Sequence, residues 1–107
     1  MIKLFVEDQA LPIANETKRF FANGQYILIA NIENQLYAVD DMCTHEDASL
    51  SLGALKELTI SCPLHGSRFC LKSGVALDEP AELALNVYKI AKTNRGINVT
   101  SYEKPDR

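Results

Sequence analysis

Two short motifs lie in the middle of the chain, Cys43-Thr44-His45 and Cys62-Pro63-Leu64-His65, and sixteen residues separate them. They contain both histidines of the chain and two of its three cysteines. Thiolates and imidazoles spaced as C-x-H and C-x-x-H offer four ligands to zinc or iron. We therefore predict Cys43, His45, Cys62 and His65 as metal ligands.

The composition limits the kind of protein. A chain of 107 residues with 47% hydrophobic content can bury one core, so we expect one domain. A net charge of −3 gives no basic surface for nucleic acid. The acidic residues Glu7 and Asp8 come too early for the apolar region of a secretory leader, so we expect none, and no apolar run approaches the roughly 20 residues of a membrane span. An odd cysteine count fits a reducing compartment. We expect a cytoplasmic protein with protein partners, without nucleic acid or membrane binding.

The sequence outside the motifs predicts an all-β fold. Runs rich in β-branched and aromatic residues alternate with turn residues such as Asn23-Gly24 and Glu33-Asn34. Short helices are expected only at Leu11–Ala14 and Ala48–Leu52. The predicted strands are Lys3–Glu7, Thr17–Ala22, Tyr26–Ile32, Gln35–Asp40, Asn86–Lys92 and Gly96–Ser101.

The motifs lie between two groups of predicted strands. This order predicts a single domain, residues 1–107, whose base is an antiparallel barrel or sandwich formed by residues 1–41 and 82–103. The ligand-bearing region, about residues 42–81, is then an inserted lobe.

The order of the ligands bears on the choice of metal. A zinc finger draws its cysteines from one hairpin and its histidines from one helix. Here each loop supplies one cysteine and one histidine. That mixing favours two metal ions, because each loop can give its thiolate to one and its imidazole to the other. A structural zinc site stays a less favoured alternative.

These motifs resemble the two boxes of Rieske iron–sulfur proteins. The resemblance includes Cys43-Thr44-His45, the sixteen-residue interval and Cys62-Pro63-Leu64-His65-Gly66-Ser67, and it extends over nearly the whole chain. It implies a Rieske-like fold with one [2Fe–2S] cluster, in which the cysteines bind an inner iron and the histidines an outer one. It also implies that Gly66 lets the backbone pass close to the cluster. Ser67 occupies the position that donates hydrogen bonds toward sulfur.

Departures from the family pattern indicate a low reduction potential. High-potential Rieske proteins carry an extra cysteine in each box, but Ala48 and Leu64 stand at those places. Phe69 replaces a tyrosine whose hydroxyl is a further donor. Fewer donors disfavour the reduced cluster, so we expect a value toward the low end of the Rieske range of about −150 to +300 mV.

The resemblance to the Rieske ferredoxins of bacterial aromatic ring-hydroxylating dioxygenase systems implies the function. Such a protein carries single electrons from an NAD(P)H-dependent flavin reductase to a terminal oxygenase, through its histidine edge. We predict a monomeric electron carrier with transient partners and no catalytic residues, since both histidines are used as ligands. The alternative from another class is a tightly bound Rieske-type small subunit, such as that of a nitrite reductase.

Other residues near the motifs receive weaker predictions. Cys70 is expected to be a small buried side chain outside the ligand set. Pro80 is either a turn residue or part of a loop that shields the cluster. A partner-docking role is a hypothesis for the acidic residues Asp40, Asp41, Glu46, Asp47, Asp78 and Glu79.

Overall fold

The computed structural model describes residues 2–44, 47–79 and 81–102. The predicted ligand His45 lies outside the described residues, as do Glu46 and Pro80. All three cysteines and His65 lie within them.

Antiparallel strands form nearly all of the regular structure. The described residues contain three three-stranded sheets with strand orders β1-β9-β8, β2-β3-β4 and β5-β6-β7, and no α-helix. The all-β prediction is therefore confirmed. No helix among the described residues is both long and apolar enough to cross a membrane. The strands are β1 Lys3–Glu7, β2 Glu16–Ala22, β3 Gln25–Ile32, β4 Gln35–Asp40, β5 Ala54–Lys56, β6 Thr59–Ser61, β7 Arg68–Cys70, β8 Tyr88–Lys92 and β9 Gly96–Ser101, with 3₁₀ turns at Asp8–Ala10 and Leu50–Leu52.

The two predicted turns close two-residue hairpins. Ala22 pairs with Gln25, and Ile32 pairs with Gln35. Both residues between each pair have positive φ, at Asn23-Gly24 and at Glu33-Asn34. This is the backbone of a type I′ turn, whose twist matches that of the flanking strands.

Strand β3 separates two buried cores. Ile27 and Ile29 pack into the base core, between the β1-β9-β8 and β2-β3-β4 sheets. Leu28 and Ala30 pack into a second core, which also contains residues of the lobe. Because successive side chains of a strand point to opposite faces, a strand covered on both faces needs a continuous apolar run. The run Ile27-Leu28-Ile29-Ala30 meets this need.

Polar side chains join the two ends of the chain across the base. Val39 and Val87 form an isolated bridge between β4 and the segment before β8. The Tyr88 hydroxyl donates a short hydrogen bond to Asp40 Oδ1, and the Asn86 amide donates to Asp40 Oδ2 at 3.0 Å. Burial, followed by the contact with Asp40, raises the pKa of Tyr88. The tyrosine therefore stays neutral and serves as a structural donor.

Two helix predictions need correction. Leu11–Ala14 forms no helix, and the 3₁₀ turn lies earlier, at Asp8–Ala10. Pro12 has no N–H to donate to a helical bond. Of Ala48–Leu52, only Leu50–Leu52 is helical. Strands β5 to β7 were not predicted individually, because three-residue strands carry too little periodicity to detect.

Candidate metal centre

The first ligand loop is a tight hairpin. Met42 and Ser49 form a bridge, and the Cys43 amide donates to the Ala48 carbonyl at 2.9 Å. These bonds hold together the two limbs of the loop at Cys43 and Ala48. Cys43 is only 4% exposed.

The second ligand loop connects β6 and β7. Ser61 pairs with Arg68 at its base, and the Cys62 amide donates to the Ser67 carbonyl at 2.8 Å. The Gly66 amide donates back to the Cys62 carbonyl at 2.9 Å. Gly66 has φ +74°, and apart from Gly66 and its two chain neighbours no described residue has an atom within 4 Å of a Cβ built there. The positive φ therefore accounts for the glycine, while its close approach to a cluster stays a prediction.

The two loops place their cysteines in one buried region. Cys62 is 3% exposed, and both Cys43 and Cys62 belong to the core beside the lobe. None of the three cysteines forms a disulfide. His65, in contrast, is exposed on the second loop. The placement of cysteines on an inner iron and histidines on an outer one stays a prediction.

A third segment, residues 81–83, is bonded to both ligand loops. Thr44 Oγ1 donates to the Leu83 carbonyl at 2.7 Å. The Ala81 amide donates to Ser67 Oγ at 3.3 Å. The sequence does not predict these two hydrogen bonds, because their partners are separated by 39 and by 14 residues and no local pattern links them. The segment fixes one loop relative to the other.

The residues present fit a two-iron cluster. Within 2–44, 47–79 and 81–102, no three His, Cys, Asp or Glu side chains are grouped as around a single metal ion. A Rieske centre needs only two protein ligands on each iron, and the predicted set also includes His45, outside those ranges. Ser67 is 1% exposed, and its Oγ accepts a hydrogen bond from the Ala81 amide. The hydroxyl hydrogen of Ser67 is therefore available to a different acceptor. Two buried cysteines, an exposed histidine and a buried hydroxyl donor are the residue types such a cluster requires.

The acidic residues around the lobe fall into different environments. Asp41 is buried, so its predicted place in a docking surface is wrong. Asp78 is half-buried and accepts a bidentate ion pair from Arg68, with 2.7 Å to Nε. The hydrogen bond from Arg68 lowers the pKa of Asp78. Asp47 and Glu79 are exposed, and Glu46 lies outside the described residues.

Cys70 differs from the two predicted cysteine ligands. It ends β7 and is half-buried, so the expectation of a fully buried side chain is too strong. A hydrogen bond from Ser73 lowers the pKa of the Cys70 thiol. No ligand role follows from this position.

Comparison with known proteins identifies the family. Residues 3–89 match the Rieske [2Fe-2S] domain. Among curated proteins, the chain is similar to the 3-phenylpropionate/cinnamic acid dioxygenase ferredoxin subunit of Shigella flexneri serotype 5b (strain 8401), with 43% identity over 60% of this chain. The match spans 61% of the length of that relative. The protein of the same name from Photorhabdus laumondii subsp. laumondii is 38% identical over 73% of this chain and 75% of its own.

A solved structure supports the same conclusion. A chain in the complex of reduced oxygenase and oxidized ferredoxin in carbazole 1,9a-dioxygenase superimposes with a TM-score of 0.85, at 27% identity. The superposition covers 98% of both chains. The names of the curated relatives agree with the prediction of an electron-transfer component rather than an enzyme. The chain belongs to the Rieske [2Fe–2S] domain family, and its cofactor is one Rieske-type cluster.

Proposed function

We propose that this chain is the ferredoxin component of an aromatic ring-hydroxylating dioxygenase system. It takes single electrons from an NAD(P)H-dependent flavin reductase and delivers them to the terminal oxygenase. The observation that carries the proposal is the pairing of two buried cysteines with an exposed histidine on adjoining loops. The names of the two curated relatives support the same role.

Cys43, His45, Cys62 and His65 are the proposed ligands, and the cluster they hold supplies one-electron chemistry. The rest of the lobe keeps these ligands in place. Backbone bonds close both loops, and residues 81–83 bond to each of them. A rigid ligand shell limits rearrangement between redox states, which favours rapid transfer.

The proposed docking surface surrounds His65. Leu64 and Leu83 are 57% and 70% exposed. Leu64 lies in the second ligand loop, and Leu83 lies in the segment that is hydrogen-bonded to the first. Asp47 and Glu79 are the exposed carboxylates proposed to meet a basic partner surface. Apolar contact contributes affinity, whereas complementary charge accelerates encounter.

Two organisational predictions form part of the proposal. We propose one domain over residues 1–107, with a base of residues 1–41 and 82–103 and a lobe of about residues 42–81. The separate β5-β6-β7 sheet supports this division, and the second core, which contains residues of both parts, supports a single domain. We also propose a cytoplasmic monomer, because a carrier must leave one partner before it meets the next.

The experiment measures electron delivery directly. The dithionite-reduced holoprotein, freed of excess reductant, is mixed without oxygen with the terminal oxygenase of 3-phenylpropionate dioxygenase. Stopped-flow absorbance should show rapid oxidation of the carrier and matching reduction of the oxygenase. The rate should fall as salt increases, because a Debye length of about 8 Å at physiological ionic strength screens exposed charges.

Matched variants test the docking surface. Asp47→Asn and Glu79→Gln should slow transfer and weaken its salt dependence. Glu57→Gln is the control, because Glu57 is exposed in the β5–β6 turn, at the opposite end of β6 from Cys62. No transfer above the rate in buffer contradicts the proposal. A holoprotein that purifies only as a stable complex with a large oxidoreductase favours the bound-subunit alternative instead.

A further inference from the structure

Asp41 is a buried carboxylate beside the first ligand loop. It is 1% exposed and lies two residues before Cys43. Among the described residues, only Asp41 and Ser67 are buried polar residues. Burying a carboxylate is costly unless hydrogen bonds and a cation compensate it, so its contacts indicate what it does.

The carboxylate binds the returning limb of the ligand hairpin. Asp41 Oδ2 accepts from Ser49 Oγ at 2.5 Å, and Oδ1 accepts from the Ser51 amide at 2.9 Å. Ser49 Oγ and Ser51 Oγ lie 2.6 Å apart. Since the Ser49 hydrogen is given to Asp41, the Ser51 hydroxyl donates to Ser49. The acid thus organises both serines of the returning limb.

The same limb leads to the second ligand loop. Gly53 follows it, and a Cβ built on Gly53 would lie 1.7 Å from the Ser61 carbonyl oxygen. This close approach requires glycine. Ala54 then pairs with Ser61, the residue before Cys62. A short, tightly packed path therefore connects the Asp41 carboxylate to both cysteines.

The negative charge of Asp41 is only partly balanced. Arg19 Nη1 lies 3.9 Å from Oδ2, and the Arg19 side chain is 45% exposed. Its guanidinium also lies 4.1 Å from the centroid of the Tyr26 ring. At 3.9 Å this is an ion pair without a hydrogen bond, and its cation is partly in solvent whereas its carboxylate is buried. Net charge is one of the factors that set an iron–sulfur potential.

We infer that Asp41 is a positioning residue for the cluster. Its carboxylate holds the two limbs of the first ligand loop together through Ser49 and Ser51, and its charge lowers the reduction potential of the cluster. This inference rests on the proposed ligand set but not on any partner. Its test uses only the purified holoprotein, with potential and cluster retention as the readouts.

Two variants separate charge from positioning. Asp41→Asn keeps the shape and removes the charge, so reduction should become at least tenfold more favourable, about 59 mV for one electron. Ser49→Ala keeps the charge and removes one hydrogen bond, so the cluster should be lost several-fold faster in the presence of a chelator. Glu57→Gln is the control, because it removes an exposed charge from the β5–β6 turn, outside both ligand loops, and should change the one-electron reduction equilibrium less than twofold.

Each half of the inference has its own contradicting result. An Asp41→Asn potential equal to that of Glu57→Gln overturns the role of the charge. A wild-type rate of cluster loss in Ser49→Ala overturns the positioning role, even if Asp41→Asn does not fold. If the wild-type protein carries no mixed-ligand cluster, the proposed ligand set fails instead.

Discussion

The Thr44 hydroxyl donates a 2.7 Å hydrogen bond to the Leu83 carbonyl oxygen across 39 positions of sequence. Thr44 stands between two predicted ligands, Cys43 and His45. Its side chain therefore connects the first ligand loop to the segment that also bonds to Ser67. The contact explains why a threonine, with a hydroxyl group, suits this position.

Replacing Thr44 by valine should destabilise the lobe without changing the cluster ligands. Loss of one such hydrogen bond costs about 1 kcal/mol, which corresponds to about fivefold in an equilibrium. We expect cluster loss in chelator to accelerate by about that factor, measured from the decay of visible absorbance. Thr44→Ser keeps the hydroxyl and serves as the control. Equal rates for the valine and serine variants would refute the role of the bond.

Ser67→Ala should lower the reduction potential. The Ser67 hydroxyl accepts from Ala81, so its hydrogen points to another acceptor, and a donor toward sulfur stabilises the more negative reduced cluster. The expected decrease is about 60 mV, or tenfold in the one-electron equilibrium. Redox titration followed by visible absorbance measures it.

Ser61→Ala is the matched control for Ser67→Ala. Ser61 precedes Cys62, but its hydroxyl donates to the Ala54 carbonyl at 3.2 Å across β5 and β6. Its removal should leave the potential unchanged. A Ser67→Ala potential equal to that of the wild type and of Ser61→Ala would show that the Ser67 hydroxyl does not act on the cluster.

The Arg68–Asp78 pair should give a pH-dependent contribution to stability. The pKa of Asp78 is lowered in the folded state by the hydrogen bond from Arg68. Its contribution is therefore fully present above the unfolded-state value of about 3.9 and is lost as pH falls through the lower folded-state value. Both side chains are solvent-accessible, so the effect is small.

The contribution of the Arg68–Asp78 pair is measured by comparing the melting temperatures of wild type and Asp78→Asn at several pH values. The melting temperature of wild type should exceed that of Asp78→Asn at pH 6, and the difference should shrink below about pH 4. Taking the difference removes effects of acid on the cluster ligands themselves. A difference that is constant over this range contradicts the assignment.

Cys70 should be modified before the buried cysteines. Ser73 lowers the pKa of its thiol, which increases the thiolate fraction. Iodoacetamide should therefore label Cys70 first in the holoprotein, and Ser73→Ala should slow that labelling, as read by mass spectrometry. Cys70→Ser should keep the iron content of the wild type. Loss of iron in Cys70→Ser would place Cys70 among the ligands.

Much of the fold followed from local sequence pattern. The bounds predicted for β1, β4 and β9 agree with the structure, and those for β2 and β3 differ by one residue. Hydrophobic runs between turn residues carry this information. The pattern could not reveal that β3 faces two cores, because a continuous apolar run also fits other buried elements.

The ligand positions were predicted from spacing, but their supporting contacts were not. Asp40 and Asp41 are identical in type and adjacent, so both were placed in an acidic surface. Asp40 instead accepts from Tyr88, and Asp41 is buried under the ligand hairpin. Successive residues of an extended chain point in opposite directions, and only the tertiary packing determines what each one meets.

Cys43, His45, Cys62 and His65 are proposed to hold one Rieske [2Fe–2S] cluster. The most direct test is the electron paramagnetic resonance spectrum of the dithionite-reduced holoprotein, with iron and zinc measured on the same sample. We expect two irons per chain and a lower average g value than that of an all-cysteine [2Fe–2S] cluster. Zinc without a reduced-state signal, or a signal of the all-cysteine type, would contradict the account.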